Sequence, residues 1–393
     1  MQNDTCISSD ERENRVTEVQ PKGNVPALRF PEFSGEGMIK TINDLATVIG
    51  GGTPDTTIKS YWDGNIQWFT PSEIGKSKYI NLSSRTITEE GLKNSSAKLL
   101  PPYTILLSSR ATVGECSITL QECATNQGFQ SLIAKSCDID FLYYLIQTKK
   151  KDLIRKACGS TFLEISANEV RKIHTNVPSN AEQKKIGALL SLVDKRIEVQ
   201  NKIIEDLKKL KSAISERLFK SVKGSTVLLS DLCDIVKGKQ INGENLSDSG
   251  NYYVMNGGTE PSGYYDNYNV EASTISISEG GNSCGYVQFN TSPFWSGGHC
   301  YSIQNIADKV DNMYLYHYLK SNEDAIMKLR IGSGLPNIQK KDLAMFKIIV
   351  PKIEWQIKIS TFLSSLERKA EIEERIQNVM QKQKLYLLQQ MFI

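Results

Sequence analysis

The chain has 393 residues, enough for two or three domains that each bury a core, and its 39% hydrophobic content is that of a globular protein. Its apolar runs, such as Phe141 to Ile146, are far shorter than a bilayer span, and MQNDTCISSDEREN has no signal-peptide core, so we expect a cytoplasmic protein with no membrane partner. With 47 Lys and Arg against 44 Asp and Glu the net charge is only +3, which argues against a protein that grips nucleic acid mainly by phosphate neutralisation.

Residues 1–24 are polar, carry no apolar period and read as a disordered tail. Residues 25–177 read as a mixed α+β domain: after the extended segment PALRFPEF, the stretch from about Gly37 to Val177 mixes turn signals (GGGTP, WDGN, LLPPYT) with short β-prone runs such as Ile66 to Phe69. Residues 178–222 then read as a helical spacer: Pro178 ends the strand, and from about Glu182 to Lys220 the chain has no Gly or Pro except Gly187, with Ile186, Leu190, Val193, Ile197, Gln200, Ile204, Leu207, Lys211, Ile214 and Leu218 stepping by threes and fours. A second mixed domain, richer in Gly, Asn and Tyr, covers 223–350. Residues 351–393 repeat the helix, with a seam of Ile359, Leu363, Leu366, Ala370, Glu373, Gln377, Met380, Lys384, Leu387 and Met391.

The two helical stretches are copies of each other. Residues 159–219 realign without a gap on 332–392 at a constant offset of 173, with Gly159 on Gly332, Ile165 on Ile338, Pro178 on Pro351, Gln183 on Gln356, Leu190 on Leu363, Lys211 on Lys384 and Phe219 on Phe392. A duplicated unit tends to fold with a pseudo-two-fold axis, and duplex DNA is a partner of nearly that symmetry. A heptad seam by itself equally suits a coiled-coil homodimer, but two matched seams in one chain favour internal pairing, because each helix has its partner at high effective concentration. Two-fold symmetry makes that pairing antiparallel. The polar seam residues suggest a register in which Lys211 meets Glu373 and Gln200 meets Lys384, since both pairs share one sum of residue numbers.

The order of variable domain, long helix, variable domain, long helix resembles the specificity subunit of type I restriction-modification systems. The resemblance is carried by the doubled segments NVPSNAEQKKIGALLSLVDKRI and IVPKIEWQIKISTFLSSLERKA, each after a GS-containing loop, and by IQWFTPSEI and TNQGF in the first half. The second copy departs in having Trp355 at the place of Glu182 and Glu367 at that of Asp194. The resemblance implies that each domain is a target recognition domain reading half of a bipartite DNA sequence, while the helices set the gap and carry two methyltransferase subunits. It implies no catalysis by this chain, no cofactor of its own, and S-adenosylmethionine, ATP and magnesium on partner methyltransferase and restriction/translocase subunits. A helix of about 38 residues is about 57 Å long, on the order of 17 base pairs of B-DNA, so its length can act as a ruler. The reading from another class is a non-catalytic two-lobed scaffold for protein or glycan.

Base edges are read by Arg or Lys at guanine and by Asn or Gln at adenine, with other polar groups on phosphate. Candidates in the first domain are Lys76, Lys78 and Tyr79 in GKSKY, Ser108, Ser109, Arg110 and Thr112 in SSRATVG, and Asn126 and Gln127 in TNQGF. Those in the second are Lys237, Lys239 and Gln240 in KGKQ and Glu279 and Asn282 in SEGGNSCG. For each, the competing reading is a solvated loop residue.

Other motifs do not hold up chemically. FSGEG and the later PPY are in the order of a methyltransferase, but the position that must bond the target amine is Leu100. Gly75, Lys76 and Ser77 lack the upstream glycine of a phosphate loop. The eight cysteines include no CxxC pair and only three histidines accompany them, so reduced, mostly packed thiols and no metal site are expected. Tyr264, Tyr265 and Tyr268 suit either stacking on bases or cross-strand packing.

Overall fold

The computed structural model describes residues 25–159, 163–332, 334 and 336–392. The expected tail at 1–24 lies outside the described residues, as do Ser160 and Ser333 of the two GS loops. The chain divides into two compact units, one of residues 1–199 with 377–393 and one of residues 200–376.

The lobe of the first unit runs β1 (Met38–Thr41), α1 (Ile42–Leu45), β2 (Ala46–Gly50), β3 (Trp62–Phe69), β4 (Tyr79–Ile80), β5 (Arg85–Ile87) and α2 (Glu89–Lys93). It continues through β6 (Ile105–Leu107), β7 (Cys116–Thr119), β8 (Cys123–Thr125), β9 (Gln130–Ala134), α3 (Ile139–Thr148), α4 (Lys150–Lys156), α5 (Ala167–Arg171) and β10 (His174–Val177) into the long α6 (Asn180–Ser221). One sheet has the order β2-β9-β6-β7-β4 and a second β5-β3-β8, while β1 pairs antiparallel with β10 and ties the lobe's start to its end. The buried strand β6 reads Ile-Leu-Leu without alternation because it is covered on both faces. Its core, including Ile105, Ile118, Leu132 and Leu142, continues onto Ile186 and Leu190 of α6.

The lobe of the second unit runs β11 (Ser225–Leu228), β12 (Asp234–Lys237), β13 (Tyr252–Met255), β14 (Tyr264–Tyr265), β15 (Thr274–Ser278), β16 (Val287–Asn290), β17 (Trp295–Ser296) and β18 (Cys300–Gln304). There follow α7 (Asn312–Ser321), α8 (Glu323–Met327), α9 (Lys340–Ala344), β19 (Lys347–Val350) and the long α10 (Ile353–Met391). Its sheet order β12-β18-β15-β16 reproduces β2-β9-β6-β7, the parallel pair β13-β17 reproduces β3-β8, and β11-β19 reproduces β1-β10. The fold is the expected α+β class with an internal repeat, and the repeat extends through the lobes, where the sequence offset is no longer constant.

Within each unit a segment of α6 packs antiparallel on a segment of α10. In the first, Met391, Leu387 and Leu388 join the cluster that holds Ile186 and Leu190. In the second, Phe219 and Leu218 join that of Ile359 and Leu363. All ten seam positions predicted on α6 and all ten on α10 are buried or half-buried. Phe141 stacks on Phe392 with ring centroids 5.2 Å apart, and the equivalent residues Tyr314 and Phe219 meet edge-on at 5.7 Å. Gly187 is required where α3 begins against α6: a Cβ there would lie 2.9 Å from Asp138 Oδ1 and 3.0 Å from the Phe141 nitrogen.

The register differs from the expected one. Lys211 pairs with Glu367 at 2.5 Å rather than with Glu373, and Lys384 pairs with Asp194 at 2.7 Å rather than with Gln200. Gln200 instead donates its amide to Glu373, 2.7 Å from Oε2. The physical reason is reach. A lysine on the seam extends past it to an acid on the flank, where its charge stays partly hydrated, whereas the shorter Gln200 satisfies itself across the seam.

Candidate nucleic-acid interface

In the first lobe, four loops are drawn to one edge by backbone hydrogen bonds. Gly52 N donates to Thr125 O at 2.8 Å, Asn126 N to Phe69 O at 3.1 Å, Ser109 N to Gly128 O at 2.8 Å, and Ile165 N to Ser109 O at 2.9 Å. Gly51 and Gly52 are needed for this approach, because a Cβ on either would fall 2.1–2.2 Å from atoms of Asn126 or Ser96. Two of the expected contact residues are bound to neighbours at this edge: Gln127 accepts from the Thr53 hydroxyl, and Arg110 lies 2.7 Å from Glu164 with both side chains about 40% exposed (41% and 40%). Thr112 and Gln127 face solvent, while Asn126 caps its own turn, its Oδ1 accepting from Gly128 N at 2.8 Å. Ser108 and Ser109 are fully buried, with the Ser108 hydroxyl donating to Arg110 O at 3.0 Å, so these two shape the loop from beneath.

The second lobe repeats the arrangement. Lys239 N donates to Ser296 O and Gly297 N to Met255 O, both at 2.8 Å; Glu279 N donates to His299 O at 2.9 Å, and Ile338 N to Glu279 O at 2.8 Å. Lys239, Gln240 and Asn282 are exposed. Lys237 is half-exposed and bonds Glu279 Oε1 at 2.7 Å. Glu279 also accepts from Tyr301 Oη at 3.0 Å and is itself only 7% exposed. Burial first, and then this carboxylate, pushes the Tyr301 hydroxyl far above its ordinary pKa, which keeps it a neutral donor. Glu279 therefore braces the loop that was expected to present it.

The GKSKY segment divides in the same way. Lys76 is exposed, but Lys78, expected at a nucleic-acid face, turns inward: its side chain is 7% exposed, 2.6 Å from both Asp140 and the Ser191 hydroxyl. Tyr79 donates to Asp140 at 3.2 Å, and burial together with that carboxylate pushes its hydroxyl up to about 12. Lys78 thereby joins the lobe to α3 and α6, whereas Tyr79 bonds α3 alone and stays 43% exposed. The tyrosines of SGYYDNYNV pack across strands, Tyr265 edge-on to Trp295 at 5.2 Å and Tyr268 against Tyr252 at 4.9 Å.

Sequence reasoning missed Thr53, Glu164, Asn256 and His299, which lie in these loop clusters. Asn256 Oδ1 accepts from His299 N at 3.1 Å, and the His299 side chain is 63% exposed. One signal for Glu164 was available: it stands 173 residues before Asn337, and the two make matching bridges, to Arg110 and Gly280. The seven cysteines among the described residues are unbridged, and burial pushes the Cys116 thiol up to about 12, as expected of a packed, inert group.

The model of the type I restriction modification DNA specificity domain matches this chain twice, over residues 36–209 and 223–382. The chain is 40% identical over 177 residues to the specificity subunit of the type I restriction enzyme MjaIX of Methanocaldococcus jannaschii, covering 44% of this chain and 41% of that protein. It is 29% identical over 188 residues to the EcoR124I/EcoR124II specificity subunit of Escherichia coli, so the matches span less than half the length of these two relatives (41% and 45%). With the EcoprrI specificity subunit of Escherichia coli it shares 24% identity over 354 residues, 81% of this chain and 84% of that one. Among solved structures, the S subunit of a type I restriction-modification system from M. genitalium matches 94% of this chain and 99% of its own with a TM-score of 0.63 at 19% identity, a likeness of fold. With both halves matched in tandem over most of its length, the chain belongs to the type I restriction modification DNA specificity domain family.

Proposed function

We propose that this chain is the DNA-sequence-recognition subunit of a type I restriction-modification complex, in which each lobe reads one half of a bipartite duplex target and the paired helices set the gap. The single observation that carries this is the recurrence, at corresponding strand ends of both lobes, of a loop cluster bearing exposed donors and acceptors: Arg110, Thr112 and Gln127 in one, Lys239, Gln240, Asn282 and His299 in the other. These are the side-chain types that reach base edges and phosphates. On this reading Lys76 and Lys239 take phosphate, and Arg110 and Gln127 take base edges.

The partners are double-stranded DNA, two methyltransferase subunits and restriction/translocase subunits, with S-adenosylmethionine, ATP and magnesium held by those subunits and no catalysis by this chain. Outside the seam, α6 leaves Leu192 and Val199 exposed and α10 leaves Val379, Leu385 and Tyr386 exposed, apolar side chains suited to docking a methyltransferase helix. The net charge of +3 fits a recognition subunit whose partners supply much of the phosphate contact. Among the described residues no helix is long and apolar enough to cross a membrane. On this reading the chain works in the cytoplasm, because its target is DNA.

The test is a gel-shift selection on random duplex pools with and without co-expressed methyltransferase subunits. Enrichment of two short motifs at one gap is the expected result, and no enrichment with the partners present overturns the reading. Methyl transfer by the purified chain alone overturns its non-catalytic part.

A further inference from the structure

The pairs Lys384–Asp194 and Lys211–Glu367 are repeats of one another, since Asp194 and Glu367, like Lys211 and Lys384, stand 173 residues apart. Each acid has a second partner that comes from the lobe of its own unit. Tyr144 of α3 donates its hydroxyl to Asp194 Oδ2 at 2.7 Å, and Tyr316 of α7 donates to Glu367 Oε1 at 3.2 Å. The tyrosines are not at equivalent positions. The partner of Tyr144 at the 173 offset is His317, and Tyr316 corresponds to Tyr143. A carboxylate one methylene longer therefore meets a tyrosine one position earlier, and the three-way contact is kept although two of its three members have changed.

Around this contact the attachment of each lobe is polar and directional. Gln183 Oε1 accepts from Asp138 N at 3.1 Å and its equivalent Gln356 from Asp311 N at 2.9 Å, so each lobe helix begins on a glutamine of a long helix. Farther along, Ser191 meets Lys78 at 2.6 Å, and its equivalent Ser364 meets His317 Nε2 at 2.9 Å. Apolar contacts such as Phe141 on Phe392 supply adhesion but tolerate sliding and rocking, whereas hydrogen bonds to a charged group fix distance and angle.

We propose that Asp194 and Glu367 are positioning residues that couple the register of the helix pair to the orientation of the lobe attached to it, and so decide how strictly the gap between half-sites is measured. This rests on the function proposed above and adds the place where the measure is held: the lysine binds the acid to the opposite helix, the tyrosine binds the same acid to the lobe, and neither touches the loops assigned to base reading. Rotation of a lobe on its helix must break the tyrosine bond, while slippage of one helix on the other must break the lysine bond.

The test is selection from random duplex pools by the full chain with its methyltransferase subunits, comparing wild type with Tyr144→Phe and Tyr316→Phe. Each variant keeps its aromatic ring and its helix–helix ion pair. The expected result is that both half-site sequences are retained while discrimination against gaps one base pair shorter or longer falls about tenfold, the effect of losing one charged hydrogen bond. Asp194→Asn, which weakens both arms, is expected to fall at least as far, with circular dichroism reporting its fold. If the wild type enriches a single gap and the folded phenylalanine variants enrich it as sharply, the inference is overturned and the proposed function stands. If the wild type enriches no paired motifs, the proposed function falls and the inference with it.

Discussion

Lys211 Nζ lies 2.5 Å from Glu367 Oε1, with the two side chains only 23% and 28% exposed, and this pair fixes how α6 and α10 meet in the second unit. Removing one partner strands the other charge in a half-buried seam. Lys211→Met is expected to lower the unfolding free energy by about 1–2 kcal/mol, and the exchange Lys211→Glu with Glu367→Lys to regain most of it. Urea denaturation of the three chains checks this. A Lys211→Met chain as stable as wild type would mean that the apolar seam alone sets the register.

His317 predicts a pH dependence. It is 2% exposed, with Ser364, Glu367, Lys211, Asp311 and Tyr316 around it, and burial holds its pKa down to about 4 against the raising influence of Glu367 and Asp311. The unfolded chain takes up this proton near the ordinary value of about 6.5, before the folded chain does. Stability from this group is therefore full above about pH 6.5 and declines as pH falls toward 4, by up to about 3 kcal/mol. His317→Phe is expected to flatten that part of the profile, measured as unfolding midpoints between pH 4 and 8 beside wild type.

Arg29 in the N-terminal PALRFPEF segment binds Glu182 through two contacts of 2.7 Å, and the Glu182 side chain is 1% exposed. The side-chain bond to that carboxylate raises the guanidinium pKa further. Arg29→Ala leaves a buried carboxylate unpaired, at an expected cost of about 3–5 kcal/mol. Adding Glu182→Leu is expected to restore much of the loss, because it removes the charge that Arg29→Ala leaves buried without its partner. Thermal unfolding of the single and double variants decides this; equal loss in both would show that the charge pair is not what holds the segment.

Lys76 and Lys239 are exposed cations assigned to phosphate. Lys76→Ala and Lys239→Ala are each expected to weaken binding to all duplexes alike and to reduce the slope of log affinity against log salt by about 1. A titration across salt concentrations measures it, and an unchanged slope removes that residue from the interface.

The long helices were legible because a heptad pattern needs only spacing, and the duplication because Pro178 and Pro351, Gln183 and Gln356, and Phe219 and Phe392 recur at one offset. The register was not read correctly, although its key was present: Asp194 with Lys384 and Glu367 with Lys211 obey a single symmetry, but both acids lie beside the seam, where a tyrosine from the lobe completes their environment. Loop residues were harder, because polar type says nothing of direction. Gln127 and Ser109 stand in loops that touch, yet one faces solvent and the other is fully buried. Glu279 and Lys78 looked like interface residues and proved to be braces, a distinction set by Tyr301, Asp140 and Ser191, which arrive from elsewhere in the chain.

The account depends on each lobe reading its own half of a bipartite target. The most direct test is to sequence the duplexes selected by the wild type and by a chain carrying Arg110→Ala and Gln127→Ala, both with methyltransferase subunits. The expected result is two motifs at one gap for the wild type, and for the variant a changed base preference in one motif with the other motif and the gap intact. Changes in both motifs together, or in neither, would contradict it.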